Sequence, residues 1–254
     1  MSDIAVSVIV LACVFAGGVV AMLLSPSLPD RHRSAATRDI VRLGTGMISV
    51  LASLVLGLLT ASSQATFHEV EMQLRSYAAD LIQLDQFLRD YGTETAPIRK
   101  LLLQYTDLAV RTTWPEHAPS VEQPLESPSE GAMLNRALQG ILSLSPSTDN
   151  QRWLRSHALD IAERVIQRRW SLLIGQHGSI SPILIFTLAV WITAIFAGFG
   201  LDAPRNATVV IAFFLCAASI GTSVFLLREM DAPFTGVIKV SAEPMENALA
   251  HLRE

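Results

Sequence analysis

Gly46, Ser49, Ser53, Gly57, Thr60 and Gln64 recur at spacings of three or four residues, so on a helix they share one face. Leu51, Leu54, Val55, Leu58 and Leu59 form the opposite, bulky face. A stripe of small and hydroxyl-bearing residues in an apolar segment has two uses. It lets helix backbones approach closely in lipid, or it forms a pore wall, leaving room for an ion or water and offering hydroxyls to it. The residue types alone keep both open. A second set is basic: Arg31, Arg33, Arg38 and Arg42 lie just before this segment, and Arg205 lies far along the chain. Guanidiniums beside an apolar span hold lipid phosphates or raise the anion concentration at a pore mouth. Arg205 also stands next to a helix N-terminus, where an anion meets free N–H groups; its alternative is a salt bridge to Asp202.

Reactive chemistry is harder to find. His68, Glu69 and Glu71 fall one turn beyond the small-residue segment. His68 and Glu71 are spaced to share a face, but no third or fourth ligand is near, so a solvated helix surface is the better reading than a metal site. His32, His117, His157, His177 and His251 are isolated, and no H-E-x-x-H, G-x-S-x-G, phosphate-loop or dinucleotide fingerprint is present. Acidic residues are nearly absent from the apolar segments, which removes the proton-relay signature of a pump. The sequence therefore reads as a non-enzyme with no cofactor. Cys13 and Cys216 both sit in apolar stretches, so neither a disulfide framework nor a thiolate metal site is indicated.

The elements that carry these residues follow from composition. Of the 254 residues, 50% are hydrophobic and 17% charged, and mean hydropathy is +0.39; a soluble domain is about 25% charged. The apolar residues gather in four stretches, Ile4–Leu24, Leu43–Ala65, Ser181–Leu201 and Ala207–Leu227, each near the ~20 residues that cross a bilayer core. The first lacks a basic flank and a cleavage site before Pro26, so it reads as a span rather than a leader. Asn206 is placed to cap the fourth span. A net charge of −4 gives no electrostatic basis for a nucleic-acid partner.

Between spans two and three lies a polar block that reads as helical. Phe67, Val70, Leu74, Tyr77, Leu81, Leu84 and Leu88 form a heptad stripe. It starts where the second span ends, with no breaker, so one helix from about Gly44 to Tyr91 is expected. Further helices are expected from Ala96 or Pro97 to Trp114, near Gly131–Leu144 and from Asn150 to about Gln176, with a proline-rich loop at Pro115–Ser129. In the tail, Thr235–Ser241 has strand character and Pro244–Leu252 reads as a helix packing on the block. The expected organisation is spans one and two in 1–65, a helical soluble domain in 66–178, spans three and four in 179–228, and a tail in 229–254. Basic residues near the span ends are balanced between the two sides, so the positive-inside rule returns a tie.

Three segments carry a family resemblance: Val55-Leu56-Gly57-Leu58-Leu59 followed by Ala61-Ser62, the hairpin from Phe196 to Val210, and the tail from Asp231 to Ser241. They resemble a bacterial four-span family of unknown function labelled bestrophin-like, over almost the whole chain. The resemblance implies a plan like that of bestrophins, pentameric anion channels whose second span lines an axial pore and whose inserted helical domain is cytosolic. It implies a multi-pass protein of the bacterial inner membrane, with the soluble domain cytoplasmic. A run of consecutive acids like the bestrophin calcium clasp is missing; Glu229 and Asp231 come nearest.

The expected fold is all-α, four spans with a helical extramembrane insertion. The expected function is a homo-oligomeric, pentameric channel for small anions lined by Gly46, Ser49, Ser53, Gly57, Thr60 and Gln64, with the arginines at its mouth. Its partners would be the lipid bilayer, further copies of the chain and the ions. The competing expectation is a non-conducting membrane scaffold or sensor whose helical domain binds a protein.

Overall fold

The computed structural model describes residues 3–29, 34–114, 128–175, 180–234 and 236–254. Among these residues eight α-helices follow one another: α1 Asp3–Leu24, α2 Ala35–Tyr91, α3 Ala96–Thr113, α4 Pro128–Ser143, α5 Asp149–Gly175, α6 Pro182–Asp202, α7 Ala207–Met230 and α8 Glu243–Arg253. No strand occurs among the described residues. Four of the helices, α1, α2, α6 and α7, are long and apolar enough to cross a membrane. The chain divides into two compact units, residues 1–66 with 178–232 and residues 67–177 with 233–254.

In the first unit α1 packs on both α6 and α7, and glycines set the spacing. A Cβ added at Gly17 would lie 2.7 Å from Thr193 Cγ2, one at Gly198 2.6 Å from Thr45 Oγ1, and one at Gly221 3.1 Å from Leu11 Cβ. This is the close backbone approach through small residues that drives helix association in lipid. Helix ends are tied off by side chains, as an apolar solvent requires. Asn206 Oδ1 accepts from Val209 N at 2.9 Å, the cap expected for α7. Ser25 Oγ donates to Leu201 O at 2.7 Å. The buried Asp231 carboxylate accepts from Ile180 N at 3.3 Å, just before α6.

The second unit is built around the heptad stripe of α2. Val70, Leu74, Tyr77, Leu81, Leu84 and Leu88 are all buried, with Phe67 packed against them, each buried leucine contributing roughly 1.5–3 kcal/mol. Gly92, at φ +131°, breaks the helix in a conformation that suits glycine, and Thr95 Oγ1 donates to Leu88 O at 2.5 Å to close the turn. α3 packs on α4 and α8, and α4 on α5. Two buried carboxylates join helices: Asp85 with Arg99 at 2.7 Å and Arg89 at 3.1 Å, and Asp80 with Arg168 at 2.6 Å and Arg164 at 3.5 Å. The hydrogen bonds that Arg99 donates to Asp85 raise its pKa above its ordinary value. The Tyr77 and Tyr105 hydroxyls hydrogen-bond to each other inside the core.

Three expectations need correction. α2 starts at Ala35, not near Gly44, because Ser34 supplies an N-terminal cap: Thr37 N donates to Ser34 Oγ at 3.3 Å and the two hydroxyls lie 2.8 Å apart. Arg38 and Arg42 are thus on the helix rather than in a loop. The helix then runs unbroken through residues 65–70, as the heptad pattern predicts. The expected loop at 115–129 is shortened by α4, which begins at Pro128; residues 115–127 lie outside the described residues. The tail segment 236–241 is not a strand. Its backbone is used one bond at a time instead: Val240 N donates to Pro233 O at 2.9 Å, and Trp114 Nε1 donates to Val240 O at 2.9 Å.

Candidate functional site

Within the first unit α2 shows three faces rather than two. Ala52, Leu59 and Ser63 are buried, with Ile48, Val55 and Leu56 packed beside them, so this face docks on the other spans. Val55 and Leu59, expected on the bulky face opposite the stripe, belong to it. The remaining bulky residues, Met47, Val50, Leu51, Leu54 and Leu58, are 50–71% exposed. The small-residue stripe is the third face. Ser49, Ser53, Gly57, Thr60 and Gln64 each lie one position on from a residue of the docking face, about 100° round the helix.

That stripe does not pack inside the subunit. Gly46, Ser53, Gly57, Thr60 and Gln64 are exposed and Ser49 is half-buried. A Cβ added at Gly46 or Gly57 would meet nothing within 4 Å, whereas the glycines of α1, α6 and α7 are all crowded. Close helix packing within one chain therefore explains the glycines of those helices and not those of α2.

The hydroxyls on the stripe are turned inward along their own helix. Ser49 Oγ donates to Thr45 O, Ser53 Oγ to Ser49 O and Thr60 Oγ1 to Leu56 O, each at 2.8 Å. Their protons are spent on carbonyls. What they present outward is oxygen lone pairs.

The arginines are less available than their sequence positions suggest. Arg31 and Arg33 lie outside the described residues. Arg38 Nε is 3.4 Å and Arg42 Nη2 3.8 Å from the Asp202 carboxylate. Arg205 was expected either to bind an anion at the α7 N-terminus or to pair with Asp202. Instead its Nε donates to Met22 O at 3.3 Å and its Nη2 to Leu23 O, satisfying the carbonyls at the end of α1. His68 Nδ1 is 3.5 Å from Glu71 Oε2 on an exposed surface. Sequence reasoning missed the pairing of Asp202 with Arg38 and Arg42, which no local pattern signals, and the Ser34-x-x-Thr37 cap, which a capping motif does.

Four helices long and apolar enough to cross a membrane, with a helical unit inserted in the chain between the second and third, define a multi-pass membrane protein. The chain belongs to the bestrophin-like family: the model of the Bestrophin-like domain matches residues 12–245. Solved structures agree in fold. A crystal structure of a variant of a bacterial bestrophin homolog from Klebsiella pneumoniae is 15% identical with a TM-score of 0.65, covering 100% of this chain and 100% of that chain. The same homolog solved by Zn-SAD phasing is 14% identical with a TM-score of 0.65, covering 96% of each. A membrane-protein variant structure is 14% identical with a TM-score of 0.67, again covering 96% of each. No curated protein matches the chain.

Proposed function

We propose that the chain is the subunit of a homo-oligomeric ion channel of the bacterial inner membrane, pentameric on the bestrophin plan, with α2 turned toward a shared axis. The observation that carries this is the exposed stripe on α2, a seam of glycine and hydroxyl residues that none of the described residues of its own subunit covers. Small residues there leave a lumen, and the bulky α2 side chains on the neighbouring face supply apolar rings that control wetting. The mechanism needs no covalent chemistry. Ions shed part of their water, pass along a wall of small and hydroxyl-bearing residues, and regain it at the far end. Small anions are the first reading of the cargo, from the resemblance to bestrophins and the basic residues at one end of α2.

A second reading has its own support. Hydroxyls that donate to their own helix offer lone pairs to the lumen, and lone pairs suit a small cation.

Vesicle flux with purified protein tests both. Ser53 is exposed in the subunit, so Ser53→Leu has room within one chain, and it should abolish flux while the oligomer stays intact. Ser53→Ala should keep most of it. The sign of the reversal potential under a salt gradient separates anion from cation conduction. Wild-type flux equal to that of empty vesicles, across chloride, nitrate, bicarbonate and sodium, would leave the scaffold reading in its place.

A further inference from the structure

The arginines of α2 are not beside the small-residue seam but in line with it. Arg38, Arg42, Gly46, Ser49, Ser53, Gly57, Thr60 and Gln64 run at spacings of four, four, three, four, four, three and four within one unbroken helix. The seam thus ends in two guanidiniums. Both are held by one carboxylate from α6, Asp202, at 3.4 Å and 3.8 Å. These separations are longer than the 2.6 Å and 2.7 Å of the pairs Arg168–Asp80 and Arg99–Asp85, so the guanidiniums keep most of their N–H groups for other partners. Two cavities flank the cluster. One, of about 210 Å³, is lined by Thr37, Arg38, Val41 and Asp202 among others. The other, of about 170 Å³, is lined by Arg42, Thr45, Phe199 and Asp202 among others. Each has room for an ion with part of its water shell. The only other charged side chain described beside the seam at this end is Asp39, exposed on α2 and lining an open hollow with Arg42 and Gly46. Two arginines and two aspartates sum to zero.

We infer that Arg38 and Arg42 form a binding site for small anions at the end of the seam, and that Asp202 competes for it from within the protein and sets the ion preference of the channel. The inference rests on the channel reading. The hydroxyls of the seam have spent their protons on carbonyls, so the wall itself offers an anion little. The charged end decides. With Asp202 beside both guanidiniums the four described charges of the cluster cancel, and an anion must compete with a carboxylate for them. A loose, largely exposed pair adds little to stability, so competition for it is within an ion's reach. Removing the carboxylate frees both guanidiniums at once.

The magnitude follows from Coulomb's law. One unit charge about 8 Å from an ion in water changes that ion's local concentration a little over twofold, up for one sign and down for the other. The anion-to-cation permeability ratio therefore moves about fivefold per charge.

The test is the reversal potential of the full-length oligomer in planar bilayers under a sodium chloride gradient. Asp202→Asn is expected to raise the chloride-to-sodium ratio about fivefold, and Arg42→Gln to lower it by a similar factor. Asp39→Asn, which removes an equal charge but frees no guanidinium, should move the ratio less than Asp202→Asn does. In 1 M salt, where the Debye length is about 3 Å, all the shifts should shrink, which a packing defect would not do. If Asp202→Asn does not assemble, Arg42→Gln carries the test alone. A conducting wild type whose ratio changes by less than twofold in Asp202→Asn, or in Arg42→Gln when that variant stands alone, overturns this inference and spares the channel reading. A wild type that conducts nothing overturns both.

Discussion

Gly200→Ala is the sharpest probe of how the membrane unit is held together. A Cβ at this position would fall inside the contact radius of Gly18 O and 3.0 Å from both Ala21 Cβ and Met22 N. Two of these neighbours are backbone and the third is a Cβ, so none can swing aside. Relief requires α1 and α6 to part by about 1 Å where they cross, which opens the interface on either side. Overpacking of this kind costs about 1–3 kcal/mol, and for a chain of this length each kcal/mol lowers the midpoint by about 2–4 °C. Gly200→Ala should therefore lose about 2–12 °C. Gly57→Ala is the matched comparison, since the added methyl meets nothing within 4 Å inside the subunit and should stay within about 1 °C on the same scale. The assay is the apparent unfolding midpoint of detergent-purified protein, followed by tryptophan fluorescence at a fixed heating rate. A Gly200→Ala midpoint equal to that of the wild type would refute the account of glycine-mediated packing between α1 and α6. An equal loss in both variants would show that the α2 stripe is closely packed and would remove the main support for the open seam.

Other expectations concern the helical unit and the orientation of the chain. Asp85→Asn removes the carboxylate that joins Arg99 and Arg89 and should cost about 1–3 kcal/mol, below the 3–5 typical of a fully buried pair because the guanidiniums reach solvent; faster trypsin cleavage of the folded protein would register it. Tyr91→Phe removes a buried hydroxyl with no hydrogen-bond partner among the described residues, so it should leave stability unchanged or raise it by up to about 1 kcal/mol, and a midpoint several degrees lower would contradict this. Burial, followed by the nearby Glu94 charge, raises the Tyr91 pKa above 10.0. A group whose pKa is higher in the folded state supports folding below its unfolded pKa and loses that support as pH climbs through the folded value. The wild type should accordingly lose more stability than Tyr91→Phe between pH 8 and pH 11, and parallel losses would exclude the effect. With Cys13 and Cys216 replaced by alanine, Ser34→Cys should react with an impermeant thiol reagent in intact cells and Ser156→Cys should not; the reverse pattern would put the helical unit outside.

The four spans were legible because length and hydropathy are local quantities, and a lipid solvent forces every such stretch into a helix. The heptad stripe from Phe67 to Leu88 was legible for a similar reason: its period matches the helix, and a helix with one apolar face must bury it. The Asn206 cap could be read from a single residue in a five-residue hairpin. The tail defeated the same logic. Val237, Ile238 and Val240 have strand propensity, but a strand needs a partner ladder, and here Trp114 and Pro233 take the backbone bonds of Val240 instead. The site shows the limit most clearly. Residue types marked out the stripe on α2 and the arginines before it, yet a shift of one residue along the helix separates a face that docks from one that stays open, and periodicity cannot say which neighbour a helix will choose. Arg38 and Arg42 meet Asp202, and Arg205 meets the end of α1, across more than 150 residues of chain. Period, length and capping chemistry are carried by adjacent residues, so the sequence by itself determined the elements. Which faces remain uncovered, and which charges neutralise one another, depends on how α1, α2, α6 and α7 pack, and only the tertiary structure decided that.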